Sequence, residues 1–88
     1  MNIDLCHVRN PLIGWDIQVT VKADVGEKIA SARIDVNGFP EFDQQLPTPL
    51  NAWHKTLVQQ GTYPGENKVL VTITNDQGEQ TTDEDDWE

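Results

Sequence analysis

The sequence predicts an all-β protein, an antiparallel β-sandwich of six to seven short strands. Three observations carry that prediction. Apolar residues recur with a period of two along most of the chain. Turn dipeptides and prolines punctuate it at intervals of roughly 8 to 12 residues, and no segment shows the 3.6-residue period of an amphipathic helix. Composition agrees, since Val and Ile dominate the apolar residues and eight threonines accompany them, a set that fits pleated, half-buried surfaces. A chain of 88 residues allows one domain with a single sheet-on-sheet core. A large enzyme fold such as a TIM barrel is excluded on length.

At the front, Ile3 and Leu5 alternate with Asp4, and the pattern slips at Cys6-His7-Val8, which predicts a bulge before Asn10-Pro11. Trp15, Ile17, Val19, Val21, Ala23 and Val25 then alternate with Asp16, Gln18, Thr20, Lys22 and Asp24 over eleven residues. That run places one row on a core and the other in water. A second run, Ala30, Ala32, Ile34 and Val36, stops at Asn37-Gly38, a dipeptide that accepts positive φ and favours a tight hairpin turn. Phe39 to Phe42 contains Pro40 and reads as a short edge strand or irregular return.

Pro47 and Pro49 lie in the stretch from Asp43 to Asn51. Each removes a ladder donor, so this stretch reads as a loop between sheets. Ala52 to Val58 resumes extended structure, with Trp53 and Leu57 on one parity and Lys55 between them. Gly61, Pro64 and Gly65 make a corner. Val69, Val71 and Ile73 then alternate with Leu70, Thr72 and Thr74 up to a turn at Asn75-Asp76-Gln77-Gly78. A last strand from Glu79 to about Thr82 pairs back across that hairpin.

The third quarter of the chain carries a recognisable pattern: Trp53 with Leu57, Gly61, Pro64-Gly65-Glu66-Asn67, Val69 through Thr74, then Gly78 and Thr81-Thr82. It resembles the last three strands of bacterial immunoglobulin-like domains (Big/PKD-type), with Asn75 where that family often has aspartate. Ala32 to Gly38 is similar to the strand that precedes such a loop. There is no Cys-Trp-Cys arrangement of the antibody type, because Cys6 is the only cysteine. The resemblance implies an immunoglobulin-like sandwich over residues 1–82; residues 83–88 read, from their charge, as an acidic C-terminal tail. It also implies a role as spacer, stalk or partner-binding unit on surface proteins, virions or secretion machinery; fold alone assigns no function.

Chemistry is sparse. Ser31 lies in an alternating strand without a nucleophile-elbow context. Cys6 has only His7 beside it, on the opposite face of a strand, and reads as a small buried thiol. His7 and His54 read as surface or rim residues and lack the spacing of a zinc site. Glycine-rich phosphate loops and basic clusters are absent, so no cofactor and no direct nucleic-acid contact are expected. The chain reads as non-enzymatic. Trp15 and Trp53 read as core tryptophans. Met1 to Asn10 has neither a basic start nor an apolar run of signal-peptide length, and no stretch approaches the roughly 20 apolar residues of a membrane span. On these grounds the chain reads as soluble, and cytoplasmic as written.

Charge supplies the one unusual segment. The formal net charge is −9, and from Asn75 onward there are seven acids and no base, leaving the first 74 residues at −2. Asp83-Glu84-Asp85-Asp86 precede Trp87. Calcium would need ligands alternating along a glycine-containing loop, which this run lacks, so no metal is expected. Charges this dense extend a chain, whereas an exposed tryptophan is costly in water and a frequent binding anchor. Trp87 shares parity with Thr81, Asp83 and Asp85, so two arrangements are open: Trp87 folded back onto the sheet, or a free acidic-aromatic peptide. Asp83, Glu84, Asp85, Asp86 and Trp87 are therefore the candidate partner-binding residues. The expected function is a non-catalytic protein-interaction or structural module, with self-association open to it. An alternative is a small acidic inhibitor or nucleic-acid mimic that binds a basic surface on another protein. A carbohydrate-binding module is a weaker alternative, for want of an exposed aromatic row.

Overall fold

The structure is a computed structural model that describes residues 1–9, 14–60 and 66–87. The described residues form seven strands: β1 (Asn2–Arg9), β2 (Trp15–Lys22), β3 (Ile29–Val36), β4 (Phe39–Leu50), β5 (Ala52–Gln60), β6 (Asn67–Asn75) and β7 (Gln80–Trp87). They form a three-stranded sheet in the order β1-β2-β5 and a four-stranded sheet in the order β4-β3-β6-β7. Every pairing is antiparallel. The molecule is thus an all-β antiparallel sandwich in which the pairs β2–β5 and β3–β6 join strands distant in sequence.

The core lies between the sheets. Ile17, Val19 and Val21 of β2 and Leu57 of β5 face Ile29, Ala32, Ile34 and Val36 of β3, together with Val69, Val71 and Ile73 of β6 and Trp87 of β7. Each aliphatic side chain larger than alanine contributes about 1.5–3 kcal/mol by leaving water. Trp15 and Trp53 are half-buried and pack against this cluster. Lys55, which shares the parity of Trp53 and Leu57, keeps its stem on the apolar face and sets Nζ 5.0 Å from the centroid of the Phe42 ring. That arrangement combines a snorkelled stem with a cation–π contact.

Several expectations are corrected by the way the strands pair. The alternating run from Trp15 leaves the sheet after Lys22, and Val25 sits fully exposed in the turn that follows. No bulge interrupts Cys6-His7-Val8: β1 keeps an unbroken register with β2 from Asn2↔Lys22 to Arg9↔Trp15. His7 therefore continues the inward row of Ile3 and Leu5, and Cys6 is exposed rather than buried, its Sγ 3.6 Å from Gln18 Oε1. In β3 the inward position falls to Ile29 instead of Ala30. Ile29↔Asn75 is followed by Ser31↔Thr74, so Ala30 is an extra residue and Ile29 turns into the core.

The stretch expected to be a short return plus a loop is one twelve-residue strand, β4. Its prolines are tolerated because β4 is an edge strand that, among the described residues, pairs only with β3. They also coincide with breaks in the ladder. Asp35↔Pro40 and Ile34↔Phe42 leave Glu41 as an extra residue, and Pro47 and Pro49 fall between the pairs Ser31↔Gln45 and Ile29↔Leu50. From Leu50 the chain bends at Asn51 and enters β5 in the other sheet.

The Asn37-Gly38 turn forms as expected, with φ of 52° and 84°, the two left-handed residues of a type I′ hairpin. Asn37 also ties this turn to β6: its Oδ1 accepts from Lys68 N at 2.9 Å and its Nδ2 donates to Asn67 Oδ1 at 3.1 Å. The expected corner at Gly61, Pro64 and Gly65, and the Asn10-Pro11 pair, lie outside the described residues. The final strand runs beyond Thr82 through Trp87.

Candidate functional site

β7 forms although four of its eight residues are acidic, because its register with β6 is unbroken. Thr81, Asp83 and Asp85 lie opposite Ile73, Val71 and Val69, and Trp87 lies opposite Asn67. This row faces inward. The outward row, Gln80, Thr82, Glu84 and Asp86, lies opposite Thr74, Thr72, Leu70 and Lys68. Lys68 Nζ is 3.4 Å from Glu84 Oε2, and both side chains are more than half exposed, so this ion pair adds little stability. The segment read as an acidic tail is therefore strand over its described length. Its carboxylates are divided between two faces instead of being pooled.

Of the two arrangements open to Trp87, the structure has the docked one. Trp87 is 7% exposed and stacks on His7, with ring centroids 4.9 Å apart and planes 19° apart. His7 meets Trp15 edge-on at 5.3 Å, and Trp15 and Trp87 are tilted at 5.8 Å. His7 Nδ1 lies 2.5 Å from Asp85 Oδ2, with the two side chains 28% and 24% exposed. The contact joins the imidazole to the carboxylate across the two sheets. β1 of one sheet is thereby fastened to β7 of the other. The indole Nε1 of Trp87 is buried and has no hydrogen-bond partner among the described residues. Such a donor is uncommon in a folded protein.

The other end of β7 is organised by Asn75, which is buried. Its Oδ1 accepts from the backbone N–H groups of Gln77 at 3.0 Å and Glu79 at 2.8 Å. Its Nδ2 donates to Glu27 Oε1 at 3.0 Å and Glu79 Oε1 at 3.2 Å. Gln77 Nε2 donates to Gly26 O, and Asp76 N donates to Lys28 O, so the β2–β3 loop and the β6–β7 turn form one unit. Glu27 also accepts from Asp24 N at 3.0 Å and lies 3.1 Å from the Met1 ammonium, which pairs with Asp24 too. These donors, that of Asn75 foremost, hold the Glu27 carboxyl down at about 2. The same two carboxylates raise the Met1 ammonium above its ordinary value.

Sequence reasoning gathered Asp83, Glu84, Asp85, Asp86 and Trp87 as one segment. The structure keeps them contiguous but gives Asp83, Asp85 and Trp87 to the inner face and Glu84 and Asp86 to the outer. It adds His7 and Trp15, which sequence reasoning placed on the rim and in the core. His54 is exposed between Thr20 Oγ1, 3.0 Å from Nδ1, and Thr56 Oγ1, 3.3 Å from Nε2. Among the described residues no three His, Cys, Asp or Glu side chains gather as a metal site. No described helix is long and apolar enough to cross a membrane.

Fold and site together define a small antiparallel β-sandwich whose last strand is an acidic sheet edge pinned by an aromatic cluster. Comparison with known protein families, with curated proteins and with solved structures finds nothing that matches this chain.

Proposed function

We propose that this domain is a non-catalytic unit of protein–protein interaction within a larger assembly. The observation that supports the reading most directly is the unequal treatment of the two edges of the four-stranded sheet. β4 carries three prolines and two register breaks, devices that blunt an edge. β7 has no proline and no register break, and it carries the acidic residues in an ordered row. A fold that closes one edge and keeps the other regular favours docking at the regular one. The reading as a free acidic-aromatic peptide is less favoured, because Trp87 packs on His7 and Trp15.

The test is photo-crosslinking in the native host. A photoreactive side chain replaces Thr82 on β7, Gln44 on β4 or Val25 in the β2–β3 turn, one at a time. Discrete adducts to one protein species are the expected result. Absence of any adduct from all of these positions would sink the reading.

A further inference from the structure

We propose that the open edge of β7 accepts an extended lysine- or arginine-rich segment of another protein as an eighth strand of the four-stranded sheet. This rests on the reading above and gives the partner its chemistry. In an antiparallel ladder the N–H and C=O of one residue point to the same side, and successive residues alternate sides. Asn75 N donates to Glu79 O at 2.9 Å, which fixes the odd-numbered residues of β7 as those bonded to β6. Gln80, Thr82, Glu84 and Asp86 therefore direct their backbone groups away from the sheet. Glu84 agrees, since its N–H is taken up locally by Asp83 Oδ1 at 3.0 Å. Among the described residues, no strand pairs with this side of β7.

Charge selects the occupant. Asp83 and Asp85 on one face and Glu84 and Asp86 on the other would meet their own kind if two copies paired through β7, and like charges directly opposite destabilise a strand pair. A strand with basic residues at those positions reverses the sign on both faces. The edge thus rejects a second copy and favours a cationic strand by the same residues. Trp87, whose buried indole N–H has no acceptor among the described residues, stands at the end of this strand.

The probe is a synthetic ten-residue peptide of alternating lysine and threonine, followed by amide hydrogen exchange and NMR on the full chain. The expected result is exchange slowed at least tenfold at Thr82, Glu84 and Asp86, with a shift of the Trp87 indole signal. The same peptide N-methylated at alternate residues keeps its charge but loses its ladder donors, and it should bind at least tenfold more weakly. The double variant Glu84→Lys, Asp86→Lys alters two exposed side chains and should bind a glutamate–threonine peptide in place of the lysine–threonine one. Unchanged exchange at the three amides overturns the proposal. So does equal binding of the N-methylated peptide, or protection of the same amides by a dimer of the chain alone. Any of these outcomes beside persisting photo-crosslinks would refute the added strand while leaving the interaction role standing.

Discussion

Asn75 donates both hydrogens of its side-chain amide to carboxylates, one to Glu27 and one to Glu79, while its oxygen accepts two backbone N–H groups of the turn it begins. No other residue type of this size fills all four roles. Aspartate would accept the same two N–H groups but could not donate. It would set a third negative charge against two others.

Asn75→Asp should accordingly destabilise the fold more than a lost neutral hydrogen bond does, by roughly 2–3 kcal/mol, because donors to charged groups are replaced by like-charge repulsion. Urea unfolding at pH 7 measures the loss. The deficit should shrink at pH 4, where carboxylates begin to take up protons. An aspartate variant as stable as the parent at pH 7 would contradict the arrangement.

The depressed Glu27 carboxyl sets an acid limb of stability. Its folded value is about 2 against an ordinary 4.5, so its contribution is present above the ordinary value and is lost as pH falls through that window. Thermal unfolding followed from pH 6 to pH 2 should show a decline that the Glu27→Gln variant flattens. Parallel curves for the two proteins would count against it.

Trp87 separates two effects within one side chain. Trp87→Ala removes a buried ring stacked on His7 and should cost about 3–5 kcal/mol. Trp87→Phe keeps an aromatic ring and deletes the N–H that has no acceptor among the described residues, a burden of about 1–3 kcal/mol by itself. It should cost at most about 1 kcal/mol. Denaturant midpoints of the two variants decide this, and equal losses would refute the account.

Cys6, exposed on the outer face of the three-stranded sheet, should react fully with a thiol reagent in the native state, without denaturant and at nearly the rate of an unstructured peptide thiol. A rate that rises steeply with added urea would mean that the thiol is covered.

The period-two rows made most of the core legible in advance: Ile17, Val19, Val21, Ile34, Val36, Val69, Val71 and Ile73 all lie where alternation puts them. What stayed hidden depends on partners distant in sequence. Ile29 gains its inward place only because β6 skips Ala30, and the prolines of β4 are harmless only at a sheet edge, a position that no local pattern encodes. For Cys6, residue type points to burial, but its parity with Asn2 and Asp4 points outward, and parity decides. His7 shared the parity of Ile3 and Leu5, yet its partner Asp85 lies 78 residues away. The acidic run was visible as composition, but its division between two faces came from the register with β6.

The prolines of β4 also set how far any sheet built on this domain can extend. A sheet with one rim sealed by proline and the other lined with carboxylates has no rim that matches its own opposite. Copies of this four-stranded sheet laid edge to edge would set an interrupted rim against a charged one, an arrangement that works against continuous growth through this sheet.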